Sequence, residues 1–248
     1  MQSLDHILQQ FQTITLAEMD SVKLTDRMDT KYPFHIMLLP EILQEAQPQY
    51  KLLRMEGNNI SHYQTLYYDT PGFSLYHKHH SGKLNRYKIR HRTYVESNLG
   101  FLEVKFSNNK GRTLKTRMEA NGTAISSEEA LDFLQKQLPF NPRMLVPKLW
   151  VNFKRITLVN KGSAERLTID LKLEFIKDNS TKAMNQLVIA EVKQGSKTAS
   201  PFMSIMKRKH IREASVSKYC IGVASTCNEV KTNNFKQTIV SLNKLPVS

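Results

Sequence analysis

Between residues 86 and 92 every second side chain is a cation: Arg86, Lys88, Arg90 and Arg92. In an extended strand, side chains i and i+2 share a face, so this segment carries four successive positive charges on one side. The alternation recurs along the chain. Glu103 and Lys105 oppose Leu102, Val104 and Phe106, and Lys115, Arg117 and Glu119 oppose Leu114 and Met118. Arg166, Thr168, Asp170, Lys172 and Glu174 stand against Leu167, Ile169, Leu171 and Leu173. Glu191 and Lys193 oppose Ala190 and Val192, and the first strand repeats the theme with Arg27, Asp29 and Lys31.

An antiparallel sheet with one wet face accounts for any one of these strands. Six of them together ask for more. Like charges along one face repel, so a four-cation face calls for an anionic partner. The charged faces point either to water or into a shared lumen, and about seven or eight strands suffice to close a barrel around one. A charged lumen with low-dielectric walls strengthens each ionic contact to a bound phosphate chain.

The formal net charge of +14 over 248 residues points the same way, toward a polyanion. Nucleic acid is the weaker reading. The basic residues alternate inside strands and do not line a helix or an aromatic-studded open sheet. Two cysteines, Cys220 and Cys227, suggest no disulfide framework. The first residues lack the basic and apolar regions of a signal peptide, and no apolar run reaches the roughly 20 residues of a membrane span. The expectation is a cytoplasmic protein with no transmembrane segment of its own; a membrane partner and the oligomeric state are left open.

Periodicity predicts an amphipathic helix over 4–21, a strand over 27–36 and a helix over 40–46. A strand at 62–69 closes on the turn Asp69-Thr70-Pro71-Gly72. Strands follow near 84–95, 100–107 and 112–120, the last two joined by Ser107-Asn108-Asn109-Lys110-Gly111. Ser126-Ser127-Glu128-Glu129 reads as a capping box opening a helix. Strands resume at 150–159, 165–176 and 186–194. Ser200-Pro201 caps a further helix, Lys218-Tyr219 sits in a short one, and 233–244 is weakly amphipathic. No linker divides the chain, so residues 1–248 read as one domain with a motif core at about 25–225.

Several motifs now combine. Lys31-Tyr32, Tyr68-Asp69-Thr70, Leu75-Tyr76-His77, the run from Gly82 to Arg92, Phe101-Leu102-Glu103-Val104-Lys105, Glu191-Val192-Lys193 and Ser217-Lys218-Tyr219 follow one another in order. This ordered set resembles the VTC domain (vacuolar transporter chaperone), the polyphosphate polymerase family, in a compact bacterial form. The resemblance implies an α+β triphosphate tunnel fold, a closed antiparallel β-barrel with helices packed on the outside. It implies transfer of the γ-phosphate of ATP to a growing polyphosphate chain, with Mn²⁺ or Mg²⁺. Lys31, Arg90, Arg92, Lys105, Lys115 and Arg155 match the family's phosphate-gripping positions. Arg166, Ser217 and Lys218 match further substrate positions, and Glu191 matches the metal-binding glutamate. Such residue types suit phosphoryl transfer, which needs charge neutralisation and positioning more than a protein nucleophile.

Two departures bear on the chemistry. The wider superfamily often opens with two metal-binding glutamates, whereas this chain has Arg27-Met28-Asp29-Thr30-Lys31. Eukaryotic polymerases carry a lysine just before the Ser-Lys pair, where Val216 stands here. A triphosphate or nucleoside-triphosphate hydrolase of the same fold, or a non-catalytic polyphosphate-binding module, are the alternatives. His77, His79 and His80 have no neighbouring acid or thiol to complete a metal site and read as surface or polyanion-contact residues. Lys207-Arg208-Lys209-His210 reads as a solvated helix face.

Overall fold

The computed structural model describes residues 3–19, 28–110, 113–195 and 198–244. Arg27 and Gly111, both part of the expectations above, lie outside them. The strands are β1 (Thr13–Ile14), β2 (Met28–His35), β3 (Tyr50–Leu53), β4 (Ser61–Asp69), β5 (Arg86–Tyr94), β6 (Leu99–Ser107), β7 (Thr113–Glu119), β8 (Val146–Asn160), β9 (Glu165–Lys177), β10 (Ser180–Met184) and β11 (Leu187–Gln194). The helices are α1 (Leu4–Gln9), α2 (Leu16–Met19), α3 (Leu39–Ala46), α4 (Ser74–His80), α5 (Glu128–Gln137), α6 (Pro201–Arg208), α7 (Lys218–Thr226) and α8 (Asn233–Asn243).

The strands join in one curled, almost wholly antiparallel sheet of order β2-β11-β9-β8-β4-β5-β6-β7, with β3 and β10 added at β8 and β9. The expected closed barrel is corrected to an open half-barrel. Among the described residues β7 pairs only with β6, and no ladder joins it to β2. A different partner meets the free edge of β2: the Ala214 amide donates to the Lys31 carbonyl at 2.9 Å. The two sides of the opening approach each other through side chains, with Lys105 of β6 at 3.9 Å from Asp29 of β2.

Strand alternation sorts the sheet into two faces. On the outer face Tyr32, Phe34, Val188, Ala190, Leu167, Ile169, Ile156 and Leu158 pack beneath α1, α3 and α6. Farther round, Leu66, Ile89, Leu102 and Val104 pack beneath α5. These helices form where the local signals demand. Leu39, Ile42, Leu43 and Ala46 give α3 one buried stripe. Ser127 caps α5 by accepting from the Ala130 amide, and Ser200 caps α6 by accepting from Met203.

One helix departs from the expected outer packing. Tyr219, Cys220, Ile221 and Val223 of α7 pack on the concave face, against Leu149, Val151, Phe153, Leu173 and Phe175. A bulge makes this possible. Asn152 pairs with Glu174 but Lys154 with Leu171, so β9 carries an extra residue, and Lys172 adopts φ 52° there. The single alternation expected over 166–174 therefore breaks. Asp170 faces inward, and beyond the bulge Leu173 and Phe175 face inward too, while Lys172 is exposed. The concave face thus has an apolar end filled by α7 and a charged end beyond it.

The expected helix over 4–21 is also broken. Thr13-Ile14 pairs in parallel with Leu52-Leu53, burying Ile14 beside Leu53 and Val159. A β-branched Thr-Ile-Thr run favours that extended pairing over a third helical turn. No described helix is long and apolar enough to cross a membrane.

Candidate phosphate-binding site

The charged end of the concave face is built strand by strand. β2 contributes Asp29 and Lys31, β11 Glu191 and Lys193, β9 Asp170, β8 Arg155, β5 Lys88, Arg90 and Arg92, β6 Glu103 and Lys105, and β7 Lys115. The first residue of α7, Lys218, closes the set from above.

The carboxylates organise the cations. Arg155 holds Asp170 in a two-point grip, Nε–Oδ1 2.6 Å and NH2–Oδ2 2.8 Å, and Lys218 Nζ meets the same Oδ2 at 2.5 Å. Glu103 binds Arg90 Nε at 2.6 Å through one oxygen and Lys115 through the other. Glu191 lies 2.9 Å from Lys193 and 3.8 Å from Lys31. Burial alone would push these carboxyls up. Arg155 and Lys218 outweigh it at Asp170, Arg90, Arg92 and Lys115 at Glu103, and Lys193, Lys31 and Lys218 at Glu191, so all three are held below the usual carboxylate range.

Cations remain in excess. Lys31, Lys88, Arg90, Arg92, Lys105, Lys115, Arg155, Lys193 and Lys218 outnumber Asp29, Glu103, Asp170 and Glu191 nine to four. Arg92 is almost fully buried, its Nε has no hydrogen-bond partner among the described residues, and its guanidinium lies over the rings of Tyr63 (5.3 Å) and Phe153 (5.8 Å). Those two rings stack at 5.1 Å and also underlie Arg155, with Lys218 over Phe153 at 5.0 Å. An aromatic floor under three cations lowers the local dielectric and strengthens their pull on an anion. Burial depresses Lys115 and Lys193 to about 8, against the opposing pull of Glu103 and Glu191.

Of the residues named from sequence, Lys31, Arg90, Arg92, Lys105, Lys115, Arg155, Lys218 and Glu191 converge here. Arg166 sits one register step away, paired across the ladder with Lys193. Ser217 is placed as the α7 cap, accepting from the Cys220 amide at 3.4 Å. Val216, the departure from the eukaryotic pattern, is buried in the α7 core, where an ammonium would have no water. His79 is corrected from a surface residue: it is half-buried and contacts the Tyr87 carbonyl, while His80 accepts from the Asn234 amide at the surface, and both contacts fasten α4 in place. The charge run at 207–210 is partly spent on α3, with Arg208 on Glu45 and Lys209 on Glu41 and Glu45.

Alternation placed Lys88 and Lys193 on charged faces, but the family correspondence carried neither into the site, and sequence reasoning missed the Tyr63–Phe153 floor. Tyr63 and Tyr67 at i and i+4 of β4 were the available signal, since both share the inward face.

Comparison with known families decides the lineage. The family model of the VTC domain matches residues 26–227. The chain belongs to the VTC domain family. A search of curated proteins finds no match. Among solved structures, a Vibrio parahaemolyticus protein is similar at 10% identity and TM-score 0.47, covering 77% of this chain and 95% of its own. A conserved hypothetical protein from Pyrococcus furiosus gives 12% and 0.43, covering 77% and 96%. A Hippeastrum protein described with a dominant triphosphatase activity gives 13% and 0.44, covering 80% and 97%. Likenesses this distant carry no argument about activity.

As to metal, the described residues of this VTC domain hold no group of three or more His, Cys, Asp or Glu side chains suited to an ion. Asp170 and Glu103 have both oxygens taken by cations. Glu191 differs: among the described residues its Oε1 has only the longer Lys31 contact, 3.8 Å. It fits a site in which one carboxylate supplies a ligand and the substrate supplies the other oxygens.

Proposed function

We propose that this VTC domain, taken as one unit over residues 1–248, lengthens inorganic polyphosphate with the γ-phosphate of ATP. The observation that carries the reading is the excess of cations over carboxylates on one concave, partly desolvated surface. Such a surface is unfavourable by itself and becomes favourable when a polyanion occupies it.

In this reading Lys31, Arg90, Arg92, Lys105, Lys115 and Arg155 grip the phosphates at the transfer point, and Lys218, Ser217 and Arg166 extend the grip along the chain. Arginines offer paired donors to phosphate oxygens, and lysines act as mobile point charges. The carboxylates Glu103 and Asp170 hold Arg90 and Arg155 in fixed orientations, so the donors need not reorganise as charge shifts between oxygens. Glu191 would hold Mn²⁺ or Mg²⁺, which when bound supplies charge neutralisation between adjacent phosphates. The Tyr63–Phe153 floor keeps water from one side of the reacting groups.

Purified protein incubated with ATP and Mn²⁺ or Mg²⁺ is expected to form polyphosphate of growing length, resolved on a gel. Orthophosphate release without polymer overturns the polymerase assignment in favour of hydrolysis. Binding without turnover reduces the site to a polyphosphate-holding module.

A further inference from the structure

Lys88 stands apart from its neighbours. It sits on the inward face of β5, directly across the ladder from Lys105, which in turn faces Lys115 on β7. Three lysines thus form one transverse row over three strands. Lys105 and Lys115 each have a carboxylate, Asp29 and Glu103. Among the described residues no carboxylate lies within ion-pair distance of Lys88. Directly opposed like charges oppose strand pairing, so the row is stable only if a charge is lost or an anion is added.

We infer that Lys88 is a further phosphate ligand of this site, seating one phosphate of the chain together with Lys105 and taking up a proton as it does so. The inference rests on the phosphate-site reading above and adds a ligand and a proton to it.

The groups facing Lys88 bear this out chemically. Burial is the main influence on its ammonium, with Lys105, Lys31 and Arg86 adding repulsion, and it titrates near 7. Cys220 of α7 is the acidic group acting on Lys88, and burial pushes its thiol up, so it remains neutral. His79 of α4 is depressed to about 3 by burial and by Lys88 itself, so it is neutral as well. Among the described residues, none of which sets a carboxylate within ion-pair distance of Lys88, an arriving phosphate therefore supplies the negative charge this lysine lacks. The sign follows from linkage: an anion that raises the Lys88 pKa binds with full strength below pH 7 and must import a proton above it. Affinity falls as pH rises from 7 to 9, and at pH 7 binding takes up about half a proton at this position.

Calorimetric titration with inorganic tripolyphosphate, in two buffers of different ionisation heat, tests this on wild type, Lys88→Met and Lys88→Arg. Lys88→Met is expected to weaken binding about tenfold at pH 7 and to abolish the extra proton uptake. Its folding is checked by thermal unfolding, where loss of a desolvated charge should leave the midpoint equal or higher. Lys88→Arg keeps a permanent charge, so binding should persist while proton uptake drops by about half a proton. Wild-type binding with unchanged affinity and proton uptake in both variants overturns the inference alone. Absence of wild-type binding overturns the phosphate-site reading and this inference with it.

Discussion

The ammonium of Lys31 on β2 donates a 2.9 Å hydrogen bond to the carbonyl of Val216, the residue just before the α7 cap. A side chain proposed to meet phosphate therefore also ties the free edge of the sheet to the helix that fills its concave end. Lys31→Leu is expected to lower tripolyphosphate affinity at least tenfold and to cost about 1.5 kcal/mol of stability through the lost charged hydrogen bond. That corresponds to a melting point lower by roughly 3–6 °C. Unchanged affinity would remove Lys31 from the site.

Asp170→Asn leaves Arg155 and Lys218 buried without their counter-ion. Breaking a buried pair in this way costs about 3–5 kcal/mol, readable in urea unfolding. Added tripolyphosphate should restore more stability to the variant than to wild type, because the ligand replaces the missing negative charge. Equal stabilisation of both would separate Asp170 from ligand binding.

Asp69 supports the site from a distance. Its carboxylate accepts from the amides of Thr70, Leu75 and Tyr76 and from the Tyr219 hydroxyl, which ties α4 to α7. Asp69→Ala is expected to lose about 2–4 kcal/mol. A drop in ligand affinity should accompany it, because α7 also positions Lys218. Affinity held at the wild-type value in folded variant would show that α7 is placed without Asp69.

Gly222 lies where α7 meets the sheet. A Cβ there would stand 2.5 Å from Leu149 Cδ2 and 2.6 Å from Phe175 Cδ1. Gly222→Ala should cost about 1–3 kcal/mol by overpacking and weaken phosphate binding by shifting Lys218. Wild-type stability in this variant would place α7 farther from the concave face.

The depressed lysines predict an unusual pH profile for the ligand-free protein. Lys88 titrates near 7, and Lys115 and Lys193 near 8, all below the ordinary lysine value of roughly 10.4. Above pH 7 the folded chain sheds protons that the unfolded chain keeps, so stability rises with pH. The gain should show between about pH 7 and 8.5, above which cysteines ionising in the unfolded chain begin to offset it. A melting point falling over that interval would contradict these environments.

How much of this was readable beforehand follows from range. Alternation is a local property, so the inward cations at 86–92, at Lys105 and at Lys115 could be named from spacing. Their pairing with Glu103 and Asp170 could not, because it depends on which strands become neighbours. Whether the sheet closes turns on the meeting of β2 and β7, the two most distant strands in the order. The bulge at Lys172 has no glycine or proline to announce it, and without it Leu173 and Phe175 would face outward. The concave seat of α7 was hidden for the same reason. Tyr68-Asp69-Thr70, legible as a family motif, proves to be an anchor for two helices.

Arg92 and Lys88 carry charge into a poorly solvated surface, and among the described residues neither has a carboxylate within ion-pair distance. Neutral replacements at these two positions should make the empty fold sturdier. A population of variants screened only for heat resistance would therefore drift toward uncharged residues there, shedding ligand affinity as it gained toughness. Retention of both charges under such a screen would require the anion to be present throughout.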